Sequence, residues 1–187
     1  MGSTPCLVAL LAMALVAGCM GAPLKYAQED VGHDIHSVAV FPFHNTTRAP
    51  DAGAIVTGAF IAGLVKEGRY LVEFPGNIRS MLVKERIVVR TGMDCATIAL
   101  MGRRLGVDGV VLGEVEEFVG AETARRGVVP VVAFNTRLLD ARDGRIVFIA
   151  QNRRTGDDYE TVLRIGKITS AGALARKAVD EVVSAMP

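Results

Sequence analysis

The sequence predicts an α/β (α+β) domain: a single compact unit with a mixed sheet of about four to five strands covered by three to four helices. Three observations carry this. Residues Ser37 to Phe43 are apolar on both faces, as in a strand covered by helices on both sides. Capped helical patterns then alternate with short extended runs. The chain later passes through long strands joined at Asp143-Gly144, a strong signal for an antiparallel hairpin, and ends in an amphipathic helix.

The chain opens with an apolar run from Leu7 to Val16, followed by Ala17-Gly18-Cys19. About ten apolar residues suit the core of a secretory signal and are too few to cross a bilayer. Small Ala17 and Gly18 leave the bond before Cys19 open to a signal peptidase, and the Cys19 thiolate can then take a diacylglyceryl chain. The expected layout is a lipoprotein signal peptide over 1–18, the lipidated Cys19 and a flexible tether over 19–36, and an α/β periplasmic domain over 37–187. Residues 1–6 carry no Lys or Arg, where a signal is normally positive. Either the terminal amine serves or the natural start lies elsewhere; an uncleaved buried helix is the competing reading. Met20 stands where an aspartate resembles an inner-membrane retention signal, so the outer membrane is expected.

Residues 20–36 mix Gly, Pro and charge without sustained periodicity, and read as a tether reaching about 55–60 Å when extended. His33, Asp34 and His36 raise a metal site, but their spacing fits no helical ligand pair, and a solvated linker is expected.

In the first strand Val38, Val40 and Pro42 face one way and Ala39, Phe41 and Phe43 the other. Pro42 cannot donate to a ladder, so the strand ends there or meets an edge. Asp51 is the expected N-cap of a helix to Lys66, stopped by Gly68. Nothing from Ala52 to Val65 is charged, whereas a surface helix normally shows a charged face. Ala54, Gly58 and Ala62 form a small-residue row at spacing four. Either this second face is packed within one monomer or a neighbouring subunit covers it, and the row is the candidate interaction site. A second strand is expected over 69–74, stopped by Pro75-Gly76, and a short helix over 77–86. Asp94 caps the next helix, which ends at Gly106 with Arg103 and Arg104 near its negative C-terminus. The strand 107–118 starts apolar and then alternates, leaving the core for solvent. Strands 128–140 and 145–152 form the hairpin. Arg153 to Thr169 reads as a solvated loop in which Tyr159, Val162, Leu163 and Ile165 can dock a short helix. Ser170 or Thr169 caps the final helix, 171–186, with Leu174, Ala178, Val179, Val182, Val183 and Met186 as its apolar stripe.

Composition narrows the function. The chain has 21 basic and 20 acidic residues, which leaves no electrostatic footprint for nucleic acid. Half of it is apolar and it lacks Trp, so the core is aliphatic. Cys6 leaves with the signal and Cys19 is acylated, so Cys95 stands alone and is expected to be a small buried hydrophobe. No catalytic motif is present: no G-x-S-x-G, P-loop, G-x-G-x-x-G or H-E-x-x-H. Glu114, Glu116 and Glu117 are a possible carboxylate site, read instead as the wet side of a strand. The sequence therefore calls for no enzyme activity, no cofactor, no metal and no small-molecule substrate.

Four segments together carry a resemblance. They are Val38-Ala39-Val40-Phe41-Pro42-Phe43-His44-Asn45, Gly68-Arg69-Tyr70-Leu71-Val72-Glu73, the passage from Arg104 to Gly113, and Leu138 to Val147. In this order they resemble the curli-secretion lipoproteins of the CsgG type and the related TolB amino-terminal-domain-like group, which includes lipoprotein activators of peptidoglycan synthases. The resemblance implies an oligomeric, outer-membrane-anchored periplasmic domain acting in envelope assembly or secretion through protein association, mainly with itself. It leaves open an alternative, a regulatory module that activates a periplasmic peptidoglycan synthase. The curli channels look larger, with added amphipathic hairpins that have no counterpart here, so an accessory or assembly subunit is expected rather than a pore.

Overall fold

The computed structural model describes residues 25–29, 34–90, 92–120, 128–161 and 166–187. The expected signal, Cys19, His33 and residues 162–165 lie outside them. The strands are β1 (Lys25–Gln28), β2 (Ser37–Val40), β3 (His44–Asn45), β4 (Leu71–Val72), β5 (Gly109–Val119), β6 (Val131–Asp140) and β7 (Ile146–Thr155). The helices are α1 (Ala52–Glu67), α2 (Pro75–Glu85), α3 (Cys95–Leu105) and α4 (Ala171–Ala185), with a 3-10 turn at Gly156–Tyr159. The seven-stranded sheet runs β1-β7-β6-β5-β2-β4, with β3 also on β5. Strands β2, β3 and β4 join by parallel pairing, and β5, β6, β7 and β1 by antiparallel pairing. The fold class is therefore as expected, a mixed sheet in one domain, with more strands than the sequence patterns indicated.

Alternation along β2 builds two cores. Val38 and Val40 join Val56, Phe60 and Leu64 of α1 and Leu174 and Val179 of α4 on one face. Ala39 and Phe41 join Ile78 and Met81 of α2 and Ile98 and Met101 of α3 on the other. Phe43 was expected on the second face and lies on the first. The pleat ends at Val40, and the Phe43 N–H turns to the Thr57 hydroxyl at 2.9 Å. Phe43 then stacks on Phe60, with centroids 4.8 Å apart, while both meet Phe134 edge-on at 6.4 and 5.7 Å.

Several boundaries moved for local reasons. Pro75 does not stop a strand; it opens α2 from the first turn, where its missing N–H costs nothing. The strand expected over 69–74 shrinks to Leu71–Val72. Arg69 instead donates to the carbonyls of Val183 and Met186 at 2.7 and 2.5 Å, closing the end of α4. Strand β5 does not leave the core. A bulge between Val115 and Glu117 resets its register, and it stays paired with β6 up to Val119, with Phe118 buried. Arg153 and Arg154, expected in a loop, belong to β7. Arg154 pairs with Glu181 of α4 at 2.8 Å, and Tyr159 donates to the same carboxylate at 2.6 Å. Arg104 is exposed, as expected, and pairs with Glu85 at 2.8 Å. Asp94 caps α3 through the Thr97 N–H and Ser170 caps α4 through the Ala173 N–H, as expected. Asp51 precedes α1 but its side chain makes no cap bond. Cys95 is exposed rather than buried, because it occupies the first turn of α3 beside Gly144 of the hairpin turn.

The tether reading needs the largest correction. Residues 25–28 form β1, antiparallel on β7 with Tyr26 opposite Ala150. Tyr26 also stacks on Phe148 at 5.8 Å. Extended polar residues that show no pattern of their own are paired here because β7 offers an open edge.

Asp108 fastens the start of β2 to the start of β5. Its carboxylate accepts from the Ser37 hydroxyl at 2.8 Å and from the N–H groups of Ser37 and His36 at 3.0 and 3.2 Å. Burial works to raise its pKa, but the bonds from Ser37 and His36 outweigh it and hold the carboxyl below its ordinary value. A lowered folded value means that the clamp stabilises above the unfolded carboxylate pKa and that its contribution is lost as pH falls. Asp108→Ala should cost about 1–2 kcal/mol at neutral pH. The gap to the parent should narrow in urea melts at acid pH. A pH-independent difference would show that the charge is irrelevant.

Gly113 sits where β5 passes under Phe43. A Cβ there would enter the Phe43 ring and come within 2.6 Å of the Asn135 carbonyl. Gly113→Ala should therefore lower stability by about 1–3 kcal/mol, read as a lower denaturant midpoint with an unchanged slope.

Candidate functional site

Helix α1, uncharged from Ala52 to Val65, has two different faces. Ala52, Gly53, Val56, Ala59, Phe60, Gly63 and Leu64 are buried. The opposite row, Ala54, Gly58 and Ala62, is exposed, and Val65 extends it with 62% of its surface open. Among the described residues, this second face of α1 is left uncovered.

Glycine sets the position of α1. A Cβ on Gly53 would lie 2.6 Å from the Phe43 carbonyl, whereas one on Gly63 would meet Val183 and Val179 of α4 at 3.4 and 3.5 Å, an ordinary contact. Gly53 therefore lets the helix lie close to the β2–β3 turn. Gly58 differs, since nothing lies within 4 Å of its would-be Cβ. Thr57 donates to the Gly53 carbonyl at 2.6 Å while accepting from Phe43, so its hydroxyl is satisfied.

Beside this row runs a groove of about 350 Å³ between α1 and α2, floored by Val40 and Pro42. Ala54, Thr57, Gly58 and Ile61 form one wall; Pro75, Ile78, Arg79 and Leu82 form the other. It exists because β4 pairs only with Ser37 and Val38. Past that point no strand covers β2 on this side, and the helices of the two opposite faces flank the gap. The lining is apolar apart from Thr57 and the Arg79 guanidinium. Leu71 and Phe74, each with 76% of their surface open, continue the apolar surface along the same edge, and Val83 of α2 is also largely exposed.

Of the expected interaction residues, Ala54 and Gly58 line the groove and Ala62 continues their row. Cys19 lies outside the described residues. The α2 wall was not read from the sequence. Its signal was Pro75, which marks a first helical turn as well as a strand stop. The carboxylates of β5 do not converge. Glu116 accepts from Asn135 at 2.8 Å, and Glu117 pairs with Arg153 at 2.8 Å. Among the described residues no three His, Cys, Asp or Glu side chains come together as a metal site, and no helix is long and apolar enough to cross a membrane.

No family model and no curated protein matches this sequence. Its fold is similar to that of the PelC dodecamer from Paraburkholderia phytofirmans, with a TM-score of 0.61 and 20% identity over 87% of this chain and 94% of that one. It is similar to the lipoprotein GNA1162 from Neisseria meningitidis, with a TM-score of 0.51 and 17% identity over 80% of this chain and 99% of that one. It is similar to LpoB from E. coli, with a TM-score of 0.50 and 12% identity over 64% of this chain and 56% of that one. At these identities the likeness is one of fold. The expected relation to curli-secretion lipoproteins is overturned, because the fold is shared with PelC, GNA1162 and LpoB. The four segments that suggested it are strands and turns of this fold, so they describe the scaffold and do not discriminate among proteins that use it.

If the α1 face is free in the monomer, Gly58→Ala should raise stability by about 0.5–1 kcal/mol through helix propensity alone. A loss of stability in thermal or urea unfolding would mean that the face is packed in the monomer.

Proposed function

We propose that this protein is a non-catalytic, lipid-anchored binding module on the periplasmic face of the outer membrane. It docks onto a periplasmic enzyme through the α1–α2 groove and regulates it, with a peptidoglycan synthase as the partner class. The observation that carries the reading is the groove itself: an open, uncharged helix face beside a truncated sheet edge, continued by exposed Leu71 and Phe74. Contiguous exposed apolar surface of this kind marks a protein–protein site. Apolar anchors that fill a pocket supply most of the affinity of such sites. The partner supported by this lining is an apolar protein surface, because Arg79 is the charged member of the groove and nothing in it prepares a nucleophile or a general base. The fold shared with LpoB and the lipoprotein GNA1162 is consistent with an envelope lipoprotein. The anchor is Cys19.

A second reading has its own support. The fold is shared with a protein that forms a dodecamer, over nearly all of that chain, so the same groove is also suited to a second copy of this protein.

Size-exclusion chromatography with light scattering separates these. The chain without its first 19 residues should run as a monomer and form a complex with a purified peptidoglycan synthase ectodomain, which Gly58→Glu and Leu82→Asp each abolish. A homo-oligomer dissolved by the same substitutions would favour the second reading. A complex or oligomer indifferent to both substitutions would remove the groove from either account.

A further inference from the structure

We infer that the β1–β7 edge of the sheet is a lipid-facing surface that lies against the headgroup region of the bilayer and holds the groove away from it. The inference rests on the Cys19 anchor proposed above. It starts from the length of chain outside the described fold. Lys25, the first residue of β1, follows Cys19 by six residues, which reach about 20 Å at full extension. A domain hung from a 17-residue tether is free to tumble, whereas one paired into its sheet six residues from the lipid is not.

Direction follows from the register. Strand β1 is antiparallel to β7, with Lys25 opposite Gln151 and Gln28 opposite Phe148. The N-terminal end of β1 therefore lies at the Thr155 end of β7. Exposed Val119 of β5 lies at that end, since Val119 pairs with Val131 and Val131 with Thr155.

The edge also has suitable chemistry. Tyr26 has 58% of its surface open, and Ala27, Gln28 and Glu29 are exposed. Tyrosine, with an apolar ring and a polar tip, suits a membrane–water interface. With 21 basic against 20 acidic residues, the protein carries no net field that would repel an anionic leaflet. A sheet edge close to headgroups is also shielded from pairing with another chain. β4 is the opposite edge, five inter-strand steps away, or about 24 Å. With β1 against the headgroups, the groove lies on the side of the sheet away from the lipid, where a partner can reach it.

The test uses full-length lipidated protein, in a Cys95→Ser background, reconstituted in phosphatidylethanolamine–phosphatidylglycerol vesicles carrying headgroup-level nitroxide lipid. An environment-sensitive dye is attached at Ala27→Cys or, on α2 near the groove, at Ser80→Cys. The Ala27 dye should lose most of its emission and the Ser80 dye little. Equal quenching at the two positions, or stronger quenching at Ser80, would overturn the orientation. Vesicle flotation of the Cys19→Ala chain reads the anchor separately. Flotation that persists without Cys19 would sink the anchor and the inference together, while Cys19-dependent flotation with equal quenching would sink the orientation alone.

Discussion

The packing of Phe43 organises this structure. Its ring stacks on Phe60 of α1 and meets Phe134 of β6 edge-on, joining three elements distant in sequence. Burying three aromatic rings in mutual contact stabilises through area and through ring geometry. The arrangement requires a β5 backbone without a side chain beneath the ring, which Gly113 supplies. It also requires the chain to abandon its strand pleat after Val40. The Phe43 N–H, lost to the sheet ladder, is recovered by Thr57, and that bond fixes the turn of α1 whose next residue is Gly58. The seat of Phe43 thus fixes the part of α1 that walls the groove.

The two edges of the sheet solve one problem differently. An open strand edge invites pairing with another chain. At one end β7 is covered by β1, drawn from residues that show no strand pattern of their own. At the other, β4 is two residues long and leaves β2 uncovered beyond Val38. What caps that side is apolar side chain from α1 and α2 rather than backbone, and the edge becomes a groove. A proline at its floor, Pro42, has no N–H to offer an incoming strand, so the site favours side-chain docking over strand addition.

Much of the scaffold was legible because its signals are local. The Asp94 and Ser170 caps, the Gly68 and Gly106 stops and the Asp143-Gly144 turn each depend on a few neighbouring residues, and each lies where expected. The charge-free stretch of α1 was legible as an anomaly, though not as a groove. What could not be read was whatever depends on a distant partner. Arg69 looks like a strand residue until the end of α4 is placed beside it. Arg154 looks solvated until Glu181 arrives from α4, and Tyr159, expected to dock on the body, donates to the same carboxylate. Residues 25–28 look like linker until β7 presents its edge. The resemblance to curli-secretion proteins failed for a related reason: strand and turn patterns report a scaffold, and a scaffold serves many functions.

By itself, then, the sequence determined the class of fold, the caps of α3 and α4, the glycine stops of α1 and α3, the hairpin turn and the row Ala54, Gly58, Ala62, because periodicity, capping and φ preferences act within a few residues. Only the tertiary structure decided that this row faces outward, that α2 supplies a second wall, and that β1 and the groove occupy opposite edges of one sheet. Those facts depend on which surfaces remain uncovered once every strand has found its neighbours, and no short window of sequence contains that information.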